Sequence, residues 1–281
     1  MSIYDKDMLS GRSKIETAIE RIRCYCSGKR TLVAFSGGKD SQCCYHLARL
    51  AGVPFDAQYS ITRFEPPELM SFIRSHYPEV KFRRAYKMSL VDEIAKKGLP
   101  SRWFRWCCDC KHVKTDGYDI TVVGIRWDES PRRRARWSMF GQKKDRSFYV
   151  CPICDWSEME VWEFLNGQGI PHCSLYDEGY RRIGCVCCPL TQQKNRKDIE
   201  RYPKFVAMLK VGFMKALART DIKSEKTNAL FAKYRTDPDK YFNNWLTYGT
   251  TEGKMKSSKD EPCLFAGTGF SESDGMKEDW Q

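Results

Sequence analysis

Nowhere do these 281 residues run for the ~18 apolar positions that a membrane-crossing helix needs. The first residues, Met1 to Asp7, show no basic-then-apolar layout of a secretory leader. The expectation is therefore a cytoplasmic protein with no membrane partner. Histidine is scarce: His46, His76, His112 and His172 are all there are, and none stands at a metal-binding spacing from another. No Gly-x-x-x-x-Gly-Lys-Ser/Thr loop occurs, which excludes the common P-loop nucleotide site. No internal repeat is visible, so solenoid architectures are also excluded.

What is present begins with Ser36-Gly-Gly-Lys-Asp-Ser41. The apolar run Thr31 to Phe35 precedes it, and the amphipathic stretch Gln42 to Ala51 follows. That order reads as buried strand, glycine turn and helix. Such a turn aims backbone N–H groups and a helix N-terminus at a bound anion. Gly37 and Gly38 allow close backbone approach, Lys39 adds a point charge, and Ser36 and Ser41 add hydroxyls. A polyphosphate suits this cradle.

The net charge is +12, which favours phosphorylated ligands or nucleic acid. Arginines cluster at Arg132, Arg133, Arg134 and Arg136, and again at Arg181 and Arg182. Fourteen cysteines in a chain without a leader argue for metal or sulfur chemistry rather than a disulfide framework.

Periodicity predicts a helix over Lys14–Cys26, strands over Phe55–Ser60 and Val80–Phe82, helices over Pro66–His76 and Ser89–Lys97, and a strand over Asp119–Ile125. A helix over Ser157–Leu165 opens with a capping box, Ser157 and Glu160. Strands alternating with helices predict an α/β fold, a doubly wound parallel sheet, over residues 1–195. Residues 196–248 read as a basic helical extension, one apolar face running through Ile199, Tyr202, Phe205, Val206, Leu209 and Phe213. Residues 249–281 read as a polar, poorly ordered tail.

The loop resembles the PP-loop of the ATP pyrophosphatases, which split ATP between its α and β phosphates. Four further blocks extend the resemblance. They are Arg105 to Lys111, Val123-Gly-Ile-Arg-Trp-Asp-Glu-Ser130, Pro152 to Trp162 (with Glu160 where aspartate is usual), and Leu175 to Pro189. Together they resemble the phosphoadenosine phosphosulfate reductase-like family, which includes the DndC and SspD type ATP pyrophosphatases of DNA phosphorothioation. The resemblance implies that Ser36, Gly37, Gly38, Lys39, Asp40, Ser41, Gly124, Arg126 and Glu129 bind the nucleotide with Mg²⁺. Lys39, Asp40 and Arg126 would carry the chemistry. Asp40 could ligate Mg²⁺ or make a loop-closing hydrogen bond, and Asp128 and Glu129 could ligate Mg²⁺ or orient Arg126. Arg132, Arg133, Arg181 and Arg182 would meet substrate phosphates. Trp156 and Trp162 read as core.

Cys107, Cys108, Cys185 and Cys188 resemble the four thiolate ligands of the [4Fe–4S] cluster in adenosine phosphosulfate reductases. Cys110 rivals Cys108, because Cys107-x-x-Cys110 with Cys185-x-x-Cys188 is a familiar Zn²⁺ layout. Cys151 and Cys154 read as buried thiols, with a redox or persulfide pair as the alternative.

Three activities compete. The first is ATP-dependent adenylation of a substrate oxygen for sulfur incorporation, with nucleic acid as acceptor and a cysteine desulfurase as sulfur donor. The second is reduction of a sulfonucleotide. The third is metal-dependent nucleic-acid binding without catalysis. The intact loop favours the first. So does Cys263, the only late cysteine, which lacks the Glu-Cys-Gly-x-His surroundings of the reductase nucleophile.

Overall fold

The computed structural model describes residues 2–111, 117–143, 146–222 and 224–253. Cys263 and nearly all of the predicted tail lie outside them. The chain forms two compact units. One comprises Met1–Ile61, Pro67–Arg83 and Val113–Ile183; the other comprises Thr62–Pro66, Arg84–His112 and Gly184–Gln281.

The first unit is built on strands β1 (Thr31–Ala34), β2 (Phe55–Ile61), β3 (Lys81–Arg84), β4 (Ile120–Val122), β5 (Phe140–Gln142) and β6 (Phe148–Val150). They form one sheet in the order β3-β2-β1-β4-β6-β5. β1 runs parallel to β2 and β4, and β4 parallel to β6, while β5 returns antiparallel at the edge. The predicted α/β sheet is present and mostly parallel. Its helices are α1 (Lys14–Cys26), α2 (Lys39–Ala51), α3 (Pro67–His76), α6 (Pro131–Arg136) and α7 (Glu158–Gly167).

Local signals account for these ends. Ser13 and Glu16 close a capping box on α1, as Ser157 and Glu160 do on α7. Gly52 ends α2 in the left-handed conformation. The core beneath the sheet gathers Ile22, Val33, Leu47, Ile73, Val122, Trp156 and Phe164. Burying such side chains supplies roughly 1.5–3 kcal/mol each.

The second unit is helical: α4 (Leu90–Lys97), α5 (Trp106–Lys111), α8 (Gln192–Arg201), α9 (Pro203–Leu217), α10 (Glu225–Thr236) and α11 (Pro238–Tyr248). Its core joins Ile94, Trp106, Leu209, Phe213, Tyr234 and Trp245. The predicted apolar face from Ile199 to Phe213 is divided between two helices. Pro203 has no N–H to continue α8 and instead takes the first position of α9. Among the described residues, no helix is long and apolar enough to cross a membrane.

Candidate functional site

The chain leaves β1 to β2 and β3 on one side of the sheet, then crosses to β4 on the other. The carboxyl ends of β1 and β4 are therefore a topological switch point, where ligands of open α/β sheets bind. Ser36 to Ser41 lie there. Gly37 has φ +72°, and a Cβ on it would fall within 2.8 Å of Leu69 and Ile73 side-chain atoms. Gly38 caps α2 without any side-chain hydrogen bond. The Ser36 amide and hydroxyl both donate to Ser41 Oγ, at 3.1 and 3.0 Å, which folds the loop on itself. The strand predicted over Asp119–Ile125 spans Ile120–Val122, and Gly124 follows it against the loop. A Cβ there would stand 2.9 Å from the Asp40 carbonyl carbon and oxygen. Only glycine lets the strand end approach the loop this closely.

Arg126 follows from that approach. Its Nε donates to Asp40 Oδ1 at 2.5 Å, and Nη1 reaches Asp128 Oδ2 and the Trp156 carbonyl at 3.3 and 3.4 Å. Its side chain is 4% exposed. Burial opposes its charge, but Asp40, Glu129 and Asp128 outweigh that and hold its pKa above the usual arginine value. Asp40 thus makes the loop-closing bond. Glu129 Oε1 accepts from the Arg126 amide at 3.2 Å and from Arg133 Nη1 at 2.6 Å, while Arg182 Nη2 lies 3.4 Å from Oε2. Arg133 is buried, and that burial pulls its pKa down despite Glu129. Arg132 and Arg181 are exposed.

Lys39 is buried, and its Nζ meets Glu158 Oε1 at 3.2 Å and the Arg181 carbonyl at 3.1 Å. The Lys39 amide donates to the Tyr176 hydroxyl at 3.0 Å, and the ammonium lies 5.6 Å from that ring's centroid. Burial raises the Tyr176 pKa, so the phenol stays protonated. Trp162 and His172 pack edge-on against the ring. Tyr176 and Glu158 both touch Lys39, and the motif reading assigned neither a role. The only sequence signal for Glu158 is its place as first residue of a capped helix. Trp156 is core, whereas Trp162 is partly buried and supports Tyr176.

Asp40, Asp128 and Glu129 each commit a carboxylate oxygen to Arg126, so they form no ready cage for Mg²⁺.

The cysteines divide between the units. In the second, Cys107 is buried, and its pKa is driven far up by a hydrogen bond with Cys108, by burial, and by the charges of Cys108, Cys185 and Cys188. Cys108, Cys185 and Cys188 thus all lie within electrostatic reach of Cys107. Among the described residues, no trio of His, Cys, Asp or Glu is set as a finished metal cage. The donor chemistry nevertheless fits a thiolate-bound iron–sulfur group, because adjacent thiolates repel unless a cation neutralises them. The Cys110 side chain lies outside the described residues. In the first unit, Cys151 and Cys154 are fully buried. Desolvation raises the Cys154 thiol to about 11 and Cys151 higher still.

A model of the phosphoadenosine phosphosulfate reductase domain matches residues 30–191. An uncharacterised protein of Methanocaldococcus jannaschii is 30% identical over 210 residues, covering 68% of this chain and 42% of that protein. The adenosine 5'-phosphosulfate reductase of Staphylococcus haemolyticus is 28% identical over 132 residues, covering 44% of this chain and 54% of the enzyme. The chain thus spans about half the length of these curated relatives. A solved phosphoadenylyl-sulfate reductase of Candida auris, in its phosphate complex, superposes with a TM-score of 0.46 at 16% identity, over 60% of this chain and 88% of that one. That likeness is too loose to carry a conclusion. The family match spans more than half the sequence and includes the glycine loop, the Gly124–Arg126 turn and the Leu175 to Cys188 block, so the chain belongs to the phosphoadenosine phosphosulfate reductase domain family.

Proposed function

We propose that the chain is an ATP pyrophosphatase that adenylates a substrate oxygen for replacement by sulfur, with nucleic acid as the acceptor. One observation carries this reading: the complete Ser36–Ser41 loop sits at the switch point, with its Lys39 side chain buried and Arg126 clamped to Asp40. The loop amides and the Ser36 and Ser41 hydroxyls receive the β and γ phosphates. Lys39 Nζ turns from Glu158 and the Arg181 carbonyl toward the bridging oxygen. A substrate oxygen attacks the α phosphorus, the bond to the β-phosphate oxygen breaks, and pyrophosphate leaves as Lys39 stabilises its charge. Arg126 holds Asp40 and thereby the first turn of α2. The terminal sulfur of a persulfide from a cysteine desulfurase then displaces AMP from the adenylated acceptor, and a thiol reductant cleaves the resulting S–S bond, leaving sulfur on the acceptor, the donor thiol free and the reductant as its disulfide. Exposed Arg132 and Arg181 and the net charge of +12 suit a polyanionic acceptor.

Cys107, Cys108, Cys185 and Cys188 would hold a [4Fe–4S] cluster, with Zn²⁺ as the alternative. When bound, the cluster supplies an electron-transfer or sulfur-binding iron centre.

The test is a product assay. The anaerobically purified protein is given ATP, Mg²⁺, a cysteine desulfurase with cysteine, and DNA or tRNA. Equimolar AMP and pyrophosphate are expected. A second reading, sulfonucleotide reduction, is favoured by the relatives named adenosine 5'-phosphosulfate reductase. It predicts sulfite from adenosine phosphosulfate and a thiol reductant, with no pyrophosphate from ATP. That outcome would replace the first reading.

A further inference from the structure

Backbone hydrogen bonds fix the loop between Cys185 and Cys188. Val186 N–H donates to the Phe64 carbonyl at 2.6 Å. Cys187 N–H donates to Asp198 Oδ2 at 2.8 Å. The Cys188 carbonyl accepts from the Thr191 amide at 3.0 Å and the Thr191 hydroxyl at 3.3 Å. Cys187 has φ +52°, one of only three non-glycine positive values among the described residues. A β-carbon disfavours that conformation, and it persists only where its surroundings over-determine it. Asp198 does so: its side chain is 0% exposed, and it sits in the last turn of α8, where its carbonyl also accepts from Tyr202 N–H at 2.9 Å. A carboxylate is costly to bury, and here it takes the amide of the one residue in the loop with a left-handed backbone.

We infer that Asp198 is the positioning residue of the cysteine centre: by accepting the Cys187 amide it locks the left-handed turn that presents Cys185 and Cys188 together, beside Cys107 and Cys108. The role of Cys187 is backbone geometry, and its thiol is not a ligand. This rests on the reading that these four cysteines hold an iron–sulfur group or zinc.

The experiment uses the full chain, purified anaerobically and reconstituted with ferrous iron and sulfide, or loaded with Zn²⁺. Iron, sulfide and zinc per chain are counted, the iron–sulfur charge-transfer spectrum is recorded, and the rate of metal loss to a chelator is measured. D198A is expected to lose the group about 10- to 100-fold faster, the range typical for residues that orient metal ligands. D198N keeps an acceptor oxygen for the Cys187 amide and should retain loading. C187G should also retain it, because glycine adopts the positive φ without cost. Wild-type protein that takes up neither iron–sulfur nor zinc would overturn the cofactor reading itself. A wild type that loads normally, with D198A holding its metal as tightly, would overturn the role of Asp198 alone. Should D198A fail to fold, D198N and C187G decide: loss of the group from either folded variant refutes the inference.

Discussion

Cys151-x-x-Cys154 and Cys185-x-x-Cys188 share one spacing and differ in nearly everything else. The first follows β6 in the α/β unit, and its turn is closed by Cys154 N–H on the Cys151 carbonyl at 3.3 Å. Both sulfurs are buried, Cys154 Sγ at 3.9 Å from Arg21 Nη1, and desolvation keeps both protonated. The second lies in the helical unit. Its end cysteines are partly exposed, one of its two inner residues is left-handed, and its end thiols act on Cys107. Spacing sets how far apart two sulfurs can stand. The surroundings set whether they are thiols that fill a core or thiolates that hold a cation.

That contrast can be broken in several ways. The largest effect is expected from C185S or C188S, which should abolish iron and sulfide retention, whereas C151S and C154S should leave it at the wild-type level. Equal loss from both pairs would erase the distinction. Next, K39A should cut AMP release from ATP by about 10²–10³-fold, the range for removing one transition-state donor, without changing the iron content. The thiols themselves can be timed with iodoacetamide. With its pKa at about 11, Cys154 should react at pH 8 roughly two orders of magnitude slower in the folded chain than in the unfolded one, where an ordinary thiol pKa applies. The rate should climb toward pH 11 and not level off near pH 9. Alkylation of the folded protein at the unfolded rate would place the pair outside the core. The smallest effects are in stability. C151S should lower unfolding free energy by about 1–3 kcal/mol, as a hydroxyl replaces a buried thiol. G124A should cost about as much by forcing β4 off the loop. Denaturant titration measures both.

The glycine loop, its strand and its helix were legible because each carries a local signal: an apolar run, two glycines, and a 3.6-residue period. The capping box at Ser157 and Glu160 was legible for the same reason. β5 and β6 were not, since three residues of strand are too short to show alternation, and the pairing of Phe148–Val150 with β4 is a tertiary fact. The break at Pro203 was visible as a proline but hidden by an apolar face that continues across it. In the site, Arg126 meets Asp40, while the Lys39 ammonium turns to Glu158 and the Arg181 carbonyl. Arg133 does not face outward, because the i, i+4 geometry of a helical turn ties it to Glu129. Tyr176 and Asp198 were illegible as actors. One works through a hydroxyl on a distant amide, the other through a backbone conformation, and neither leaves a trace in spacing.

The Tyr176 hydroxyl on the Lys39 amide has a consequence for how the loop is filled. An oxyanion that settles there takes over a donor already in use, so loading is an exchange of partners. Its net affinity is what remains after the phenol has been unseated. Because Trp162 lies edge-on to that same ring at 4.9 Å, its indole emission should change with the swap, giving an optical signal of occupancy that needs no turnover.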